Sequence, residues 1–420
     1  MGCGLFLLKL YNTLTRKLEL FDPLNDKEVK MYTCGPSTYQ PSHIGNYRTF
    51  LFEDILQRYL EYRGFKVNRL ITLTDVEDKT ISQAKKESKS IQEITKRNEK
   101  IFFDTSKLLK LKRPQHAVRA STIIDQSVKL IEELLQKNLA YRHNYQGAEN
   151  IYYDPLKFSG FGKLSHLDMS EWPKKKRRFH KDTYPGTPWN KGDFVLWHGC
   201  KEDDAVCWET ALGRGRPAWN VQDAAIVTKH LGFNVDIACG GVDNLVRHHD
   251  YTIAVAEGVS EQRFAKYWLH GQHLLADGKK MSKSRGNVYY VEDIIMKGFE
   301  ARQIRFFLIY SHYRKKQNFT FDSLSETSKK LIKVREVVNY LKDMKPRASV
   351  KGETTLSKLI IAGFEKHMDQ DLDVKSAFDE LSNTIGKIDF LVKNKKLSQV
   401  EAKATLDSLR KIDAVLRVIF

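Results

Sequence analysis

The sequence predicts an α/β fold whose sheet is interrupted by an insertion and followed by a helical bundle. Three observations carry this. A strand, a glycine-bearing turn, a helix and a second strand follow one another from Glu28 to Glu77. Helix and strand return at "AAIVTKHLGFNVDIACGGVD" after an irregular, aromatic and proline-bearing stretch, and from Phe321 onward the apolar spacing is helical.

Taken in order, "MGCGLFLLKLYN" has a short apolar patch without the basic start and small-residue cleavage site of a secretory signal, so it reads as a short leader and a first strand. "VKMYTC" alternates as a strand does. "GPSTYQPSHIGN" is a turn-rich loop suited to phosphate, "RTFLFEDILQRYLEYRG" is an amphipathic helix stopped by Gly64, and "VNRLITLTD" is a buried strand ending in Thr74 and an acid. That βαβ unit puts its functional loops at the carboxyl ends of strands. Thr80 to Tyr141 reads as charged helices. The stretch that starts at Asn150 with "NIYYDPLKFSGFGKLS" and runs to "DFVLW" reads as an inserted β or loop module. Within it a basic run from Lys174 to Arg178 is a solvated loop or a contact to a phosphate backbone. Three further helices are expected, in "DSLSETSKKLIKVREVVNYLKDM", "SAFDELSNTIGKIDFLVKN" and "SQVEAKATLDSLRKIDAVLRVIF".

The chain of 420 residues is too long for one simple core. No apolar run approaches the roughly 18 residues of a membrane span, so a membrane partner is not expected. Lysine and arginine number 70 against 52 acids, a net charge of +18 that favours a polyanionic partner such as nucleic acid. The five cysteines are odd in number and scattered, which predicts reduced thiols and a cytoplasmic location; Cys200 and Cys207, with His198, have loose metal-like spacing.

Two short motifs bear on chemistry. "PSHIGN" puts His43, Gly45 and Asn46 between a strand and a helix, where imidazole and backbone donors can face phosphate near the positive helix end. "ADGKKMSKSRGN" is a glycine-bounded loop in which Lys280 and Lys283 lie beside Met281, Ser282 and Ser284, able to close over a pyrophosphate.

Together these motifs resemble the two signatures of class I aminoacyl-tRNA synthetases. "MYTCGPSTYQPSHIGNYRTFLFEDILQRYLEYRGFKV", "TDVEDKTI", "WETALGRGRP" and "GGVDNLVRHHD" look, in order, like the cysteinyl-tRNA synthetase family, over nearly the whole chain. The resemblance implies a Rossmann-type catalytic domain in residues 1–113 and 211–275, split by a connective region in 114–210. It further implies a "KMSKS" loop and stem-contact region in 276–320 and a helical bundle in 321–420. It implies ATP with magnesium, an aminoacyl-adenylate, and transfer of a small amino acid to tRNA. His43, Asn46, Lys280 and Lys283 would be catalytic, with Gly35, Gly45, Met281, Ser282 and Ser284 also at the ATP. Asn46 stands where a second histidine is commoner.

The family also places a zinc ion on two cysteines, a histidine and a glutamate, so that the metal selects the substrate thiolate. Here the first cysteine is Cys34 and the histidine His248, while Asp223 and Thr252 replace the other two; Asn220 and Ala238, with Cys239 beside it, replace histidines nearby. Cys34, Asp223 and His248 could be a three-ligand zinc site with an open position, metal-free pocket residues, or, for Cys34, plain core. Trp208, Trp219, Asp243 and Thr74 are expected around the substrate. The chain stops before a small anticodon-reading domain expected from the family. That leaves two alternatives: a ligase that passes activated cysteine to a small amine, and a non-catalytic RNA-binding relative.

Overall fold

The computed structural model describes residues 7–145, 147–171, 193–282, 285–344 and 355–420. The expected leader, the Lys174–Arg178 run, Lys283 and Ser284 lie outside them.

A five-stranded parallel sheet forms the centre, in the spatial order Ala265–Gly271, Val235–Gly241, Glu28–Thr33, Lys66–Leu73 and His116–Arg119. Both faces are covered, so the strands read as near-continuous apolar runs, as parallel strands buried on two sides do. The chain runs outward from Glu28–Thr33 in one direction, then returns to its other side with Val235–Gly241. At that reversal the crossovers diverge and leave a crevice beyond the carboxyl ends of the strands. The Cys34 N–H bridges it, donating to the Cys239 carbonyl at 3.1 Å.

Strand His116–Arg119 carries the sheet past residue 113, where the charged spacing predicts helix. At four residues on the sheet edge, "HAVR" is too short and too exposed to show period-two alternation. Helix Ile124–Gln136 follows and packs its apolar face against Val221, Ala224 and Ala225. A separate antiparallel sheet of Ala140–Tyr145, Ala148–Tyr153, Phe194–Gly199 and Gly215–Pro217 forms the insertion.

The first helix runs Ile44–Tyr62 and is buried on more faces than an amphipathic pattern implies. Its polar residues are spent on tertiary contacts. Asp54, fully buried, accepts from Arg305 at 2.6 Å and from the Lys112 N–H at 2.7 Å. Arg305 also donates to the carbonyls of Leu416 and Leu109 at 2.7 and 2.9 Å. One guanidinium thus ties the catalytic sheet to the bundle, whose described helices are Phe321–Asp343, Thr355–Met368, Val374–Lys393 and Gln399–Leu416. Thr355–Met368 adds one to the three expected.

The expectation of reduced thiols fails for one pair: Cys200 and Cys207 form a disulfide, with Cα atoms 6.3 Å apart. The chain doubles back here because the Cys200 N–H bonds the Arg214 carbonyl and Trp208 pairs with Gly215. Cys34 and Cys239 are free.

Candidate active site

The helix Ile44–Tyr62 begins earlier than its apolar spacing suggests because His43 caps it. The His43 Nδ1 accepts from the N–H of Gly45 at 3.1 Å and of Asn46 at 3.3 Å, and the Asn46 Oδ1 accepts from the His43 N–H at 3.0 Å. This reciprocal cap satisfies the first orphan donors of the helix. With the Gly45 and Asn46 backbone donors engaged, the imidazole offers its Nε2–H outward. Burial lowers the His43 pKa, so the ring is neutral and keeps Nδ1 as acceptor.

The second motif sits directly on the first. A methyl on Gly45 would lie 2.9 Å from the His43 ring and 3.1 Å from the Met281 Cε, so glycine here leaves room for the capping imidazole and brings the second loop into contact. Met281 is buried, while Lys280, at the end of a two-residue strand, is exposed and bonds Asp243 at 3.0 Å. Asn287 organises the turn, accepting from the Ser282 N–H at 2.9 Å and donating to the Lys280 carbonyl at 3.4 Å. His273 approaches the same Asp243 oxygen at 3.3 Å.

Below these loops lies a second cluster. Cys34 Sγ is 3.2 Å from His248 Nε2, which is 2.8 Å from Asp223 Oδ2; Tyr32 donates to the same Asp223 oxygen. Tyr32 and Cys34 share a face because they are two residues apart at a strand end, and that spacing is the sequence signal by which Tyr32 could have been found. Asp223 is on helix Trp219–His230, and His248 on a single widened π-type turn, Leu245–His249, that leads into helix Asp250–Ser260. Burial would lower the His248 pKa, but Cys34 and Asp223 outweigh it and raise it. Burial would raise Asp223, but His248 outweighs it. Cys34 is raised by burial despite His248.

The donor set suits zinc. Sulfur, imidazole nitrogen and carboxylate oxygen are all zinc ligand types, and Asp223 and Cys34 both reach the one His248 nitrogen; the group whose ligand atoms lie within 4.8 Å of one another is Cys34, His248 and His249, so Asp223 meets the site through His248 and is not itself in that group. Thr252 is not a fourth donor: it is fully buried and its hydroxyl donates to the His248 carbonyl at 2.9 Å, steadying the turn. His249 joins the cluster without having been expected there. It groups with Cys34 and His248 within 4.8 Å, its Nδ1 is 2.8 Å from His270 Nε2, and its buried Nε2 has no partner among the described residues. Cys200, Asp204 and Cys207 form another close group, but the disulfide occupies both thiols, and His198 is not in it.

The other expected pocket residues divide. Trp219 packs on His248 with ring centroids 5.2 Å apart. Asn220 faces away, donating to the Val195 carbonyl at 2.8 Å, which anchors the helix to the insertion. Trp208 pairs with Gly215 at the insertion edge. Thr74 pairs with Ser37, which continues the pairing of strands Glu28–Thr33 and Lys66–Leu73 past their ends. Ala238 and Cys239 face opposite sides of the sheet, and Cys239 packs into the core on the side of the first helix. Gly35 has no room for a side chain: a methyl would lie 1.7 Å from the Thr72 carbonyl oxygen.

A doubly wound sheet with two interlocked phosphate-type loops at its switch point defines a class, the class I aminoacyl-tRNA synthetases. Solved structures show the same fold. A Mycobacterium tuberculosis methionyl-tRNA synthetase in complex with methionyl-adenylate superposes with a TM-score of 0.66 at 13% identity, over 94% of this chain and 90% of that one. The Agrobacterium radiobacter K84 LeuRS in a ternary complex with tRNA and LeuAMS gives 0.69 at 11% identity, over 95% and 85%.

Within that class the chain belongs to the cysteinyl-tRNA synthetase family. The family described as tRNA synthetases class I (C) catalytic domain matches residues 20–329. A cysteine–tRNA ligase of Chlamydia pneumoniae is 37% identical over 416 residues, covering 98% of this chain and 86% of the relative. One from Brachyspira hyodysenteriae is 39% identical over 372 residues, covering 87% and 77%.

Proposed function

We propose that the chain activates cysteine with ATP and passes the cysteinyl group to tRNA. The observation that carries this reading is the convergence of Cys34, His248 and Asp223 on the crevice whose rim holds both nucleotide loops. A cysteine carboxylate oxygen attacks the α-phosphate of ATP, which enters with magnesium as its counterion; an acyl–phosphate bond forms and pyrophosphate leaves. The neutral His43 donates from Nε2 to a phosphate oxygen, and the Asn46 amide, with its oxygen held by the cap, keeps its NH₂ for another. Lys280 and Lys283 neutralise charge on the departing pyrophosphate. Lys280 is held by Asp243 and exchanges that partner for phosphate, which frees Asp243 for the substrate amino group.

Cys34, His248 and Asp223 would hold zinc, which when bound supplies selection of a thiolate over a hydroxyl. Trp219 walls the substrate side. The relatives are cysteine–tRNA ligases and the net charge of +18 suits a polyanionic acceptor, which disfavours the small-amine reading. The RNA would rest on the insertion, the 276–320 region and the bundle. Among the described residues no helix is long and apolar enough to cross a membrane, in keeping with a cytoplasmic setting.

The test is amino-acid-dependent ATP–pyrophosphate exchange across all twenty amino acids, with metal content and charging of total tRNA measured on the same sample. Cysteine-specific exchange, bound zinc and charged tRNA are expected. Exchange with another amino acid by metal-free protein would replace the cysteine reading, and exchange without charging would remove tRNA as acceptor.

A further inference from the structure

On the face of the sheet covered by the first helix, away from the nucleotide loops, a cavity of about 530 Å³ opens between helix Ile91–Leu108, the 109–114 turn and the end of helix Gln399–Leu416. It belongs to the amino-terminal side of the sheet, since the 109–114 turn precedes strand His116–Arg119, whereas Cys34 and both motifs lie at the carboxyl ends. Its size is that of a nucleotide-sized ligand.

Its lining is cationic. Lys107, Arg113 and Arg417 stand exposed at the rim, and among the described residues none of them forms an ion pair with an acid. Lys110 lies between them, donating to the Phe420 carbonyl at 3.2 Å. At the base is Arg69, which is 1% exposed; its guanidinium donates to the Gln57 side-chain oxygen at 3.3 Å, and its Nε has no hydrogen-bond partner among the described residues. Arg58 and Lys112 also line the space, but their charge is committed to Asp54 and Glu61. Asp104, the acid in the lining, is paired with Lys100.

Two neighbours sharpen this. Burial lowers the Lys110 pKa, Asp413 opposes that, and Arg302, Arg417 and Arg305 add to it, which marks a concentration of positive charge. Glu53, the acid that feels the Arg69 charge, is raised by burial to about 8 and carries little charge at neutral pH. A cluster of this kind, with Lys107, Arg113 and Arg417 outside any ion pair among the described residues and Arg69 desolvated, is stabilised by an anion with several negative oxygens.

We propose that this cavity is a second phosphate-binding site, separate from the ATP site, that takes either a free polyphosphate chain or the phosphate backbone of bound tRNA. The multiplicity of cations, spread from a buried guanidinium to the rim, matches a run of phosphates better than a single carboxylate. The aromatic residues Phe102 and Phe103 form the apolar wall, and the Arg113 guanidinium is held over the Phe103 ring at 5.0 Å.

The experiment compares the wild-type chain with a variant carrying Lys107→Ala, Arg113→Ala and Arg417→Ala, all on exposed side chains, and with Arg113→Lys, which keeps the charge. Calorimetric titration with inorganic tripolyphosphate and filter binding of tRNA over a range of salt are run on each. A drop of about tenfold in tripolyphosphate affinity, the summed worth of three exposed charges, supports a free ligand. A fall in tRNA affinity with a shallower salt dependence, by about one unit of slope for each phosphate no longer neutralised, supports the RNA backbone. ATP–pyrophosphate exchange stays at the wild-type level in either case, and Arg113→Lys retains most of the binding. If the triple variant, folded and active in exchange, binds both tripolyphosphate and tRNA as the wild type does, the site does not exist.

Discussion

Replacing Gly35 by alanine tests whether the loop after the first core strand is held at the only place that lets Cys34 reach His248. The added methyl would lie 1.7 Å from the Thr72 carbonyl oxygen and 2.8 Å from the Ile71 Cγ1. A carbon–oxygen contact settles near 3.3 Å, so the loop must retreat by roughly 1.5 Å. Strand Lys66–Leu73 cannot yield instead, because it is paired on both sides within the sheet. Cys34 adjoins Gly35 and moves with it, opening the 3.2 Å contact to His248. A misplacement of about 1 Å at a reacting centre costs on the order of 10²-fold, and that loss is expected in kcat/KM for cysteine-dependent ATP–pyrophosphate exchange. Gly386→Ala is the control: nothing lies within 4 Å of its added methyl in the interior of helix Val374–Lys393, so stability should rise by about 0.5–1 kcal/mol with exchange unchanged. Exchange by Gly35→Ala within about threefold of wild type would refute the reasoning from loop position to activity.

Asp54→Ala leaves Arg305 buried without its carboxylate and should cost about 3–5 kcal/mol, seen as a lower urea midpoint; an unchanged midpoint would show that the guanidinium is satisfied by carbonyls alone. Glu53 has both oxygens buried without hydrogen-bond partners among the described residues, and burial, opposed by Arg69, raises its pKa from 4.5 to about 8. Its proton is kept in the folded state and lost in the unfolded one across that window, so stability is full below pH 4.5 and falls by up to about 4 kcal/mol as pH rises to 8. Glu53→Gln should flatten that fall in denaturation curves, and parallel pH profiles for the two proteins would contradict it. Asp223→Cys restores the thiol that the family pattern has at this position and should let the protein keep zinc against a stronger chelator challenge; equal metal loss from both proteins would argue against Asp223 as a ligand.

How much of the fold is legible in the sequence follows from the range of each signal. The βαβ unit, the two nucleotide motifs and the bundle are readable because periodicity, caps and glycine-bounded turns act over a few residues. The capping of the first helix by His43 and Asn46 is readable in the same way, since the partners are three apart. Strand His116–Arg119 gives no alternating pattern to read, and helix Thr355–Met368 is short beside its longer neighbours.

The sequence by itself determined the family, the order of its elements and the departures at Asp223 and Thr252, because each is a matter of residue identity in a local pattern. Only the tertiary structure decided what those departures do. Asp223 turns toward His248 while Thr252 spends its hydroxyl on a carbonyl, and His249, next to His248 in the chain, points to His270. Likewise Arg305 finds Asp54 across 251 positions, and Cys200 meets Cys207 where a turn folds back. These outcomes depend on which sheet edge each crossover returns to and on which groups are then shut away from water, where a buried donor or charge must take the partner within reach.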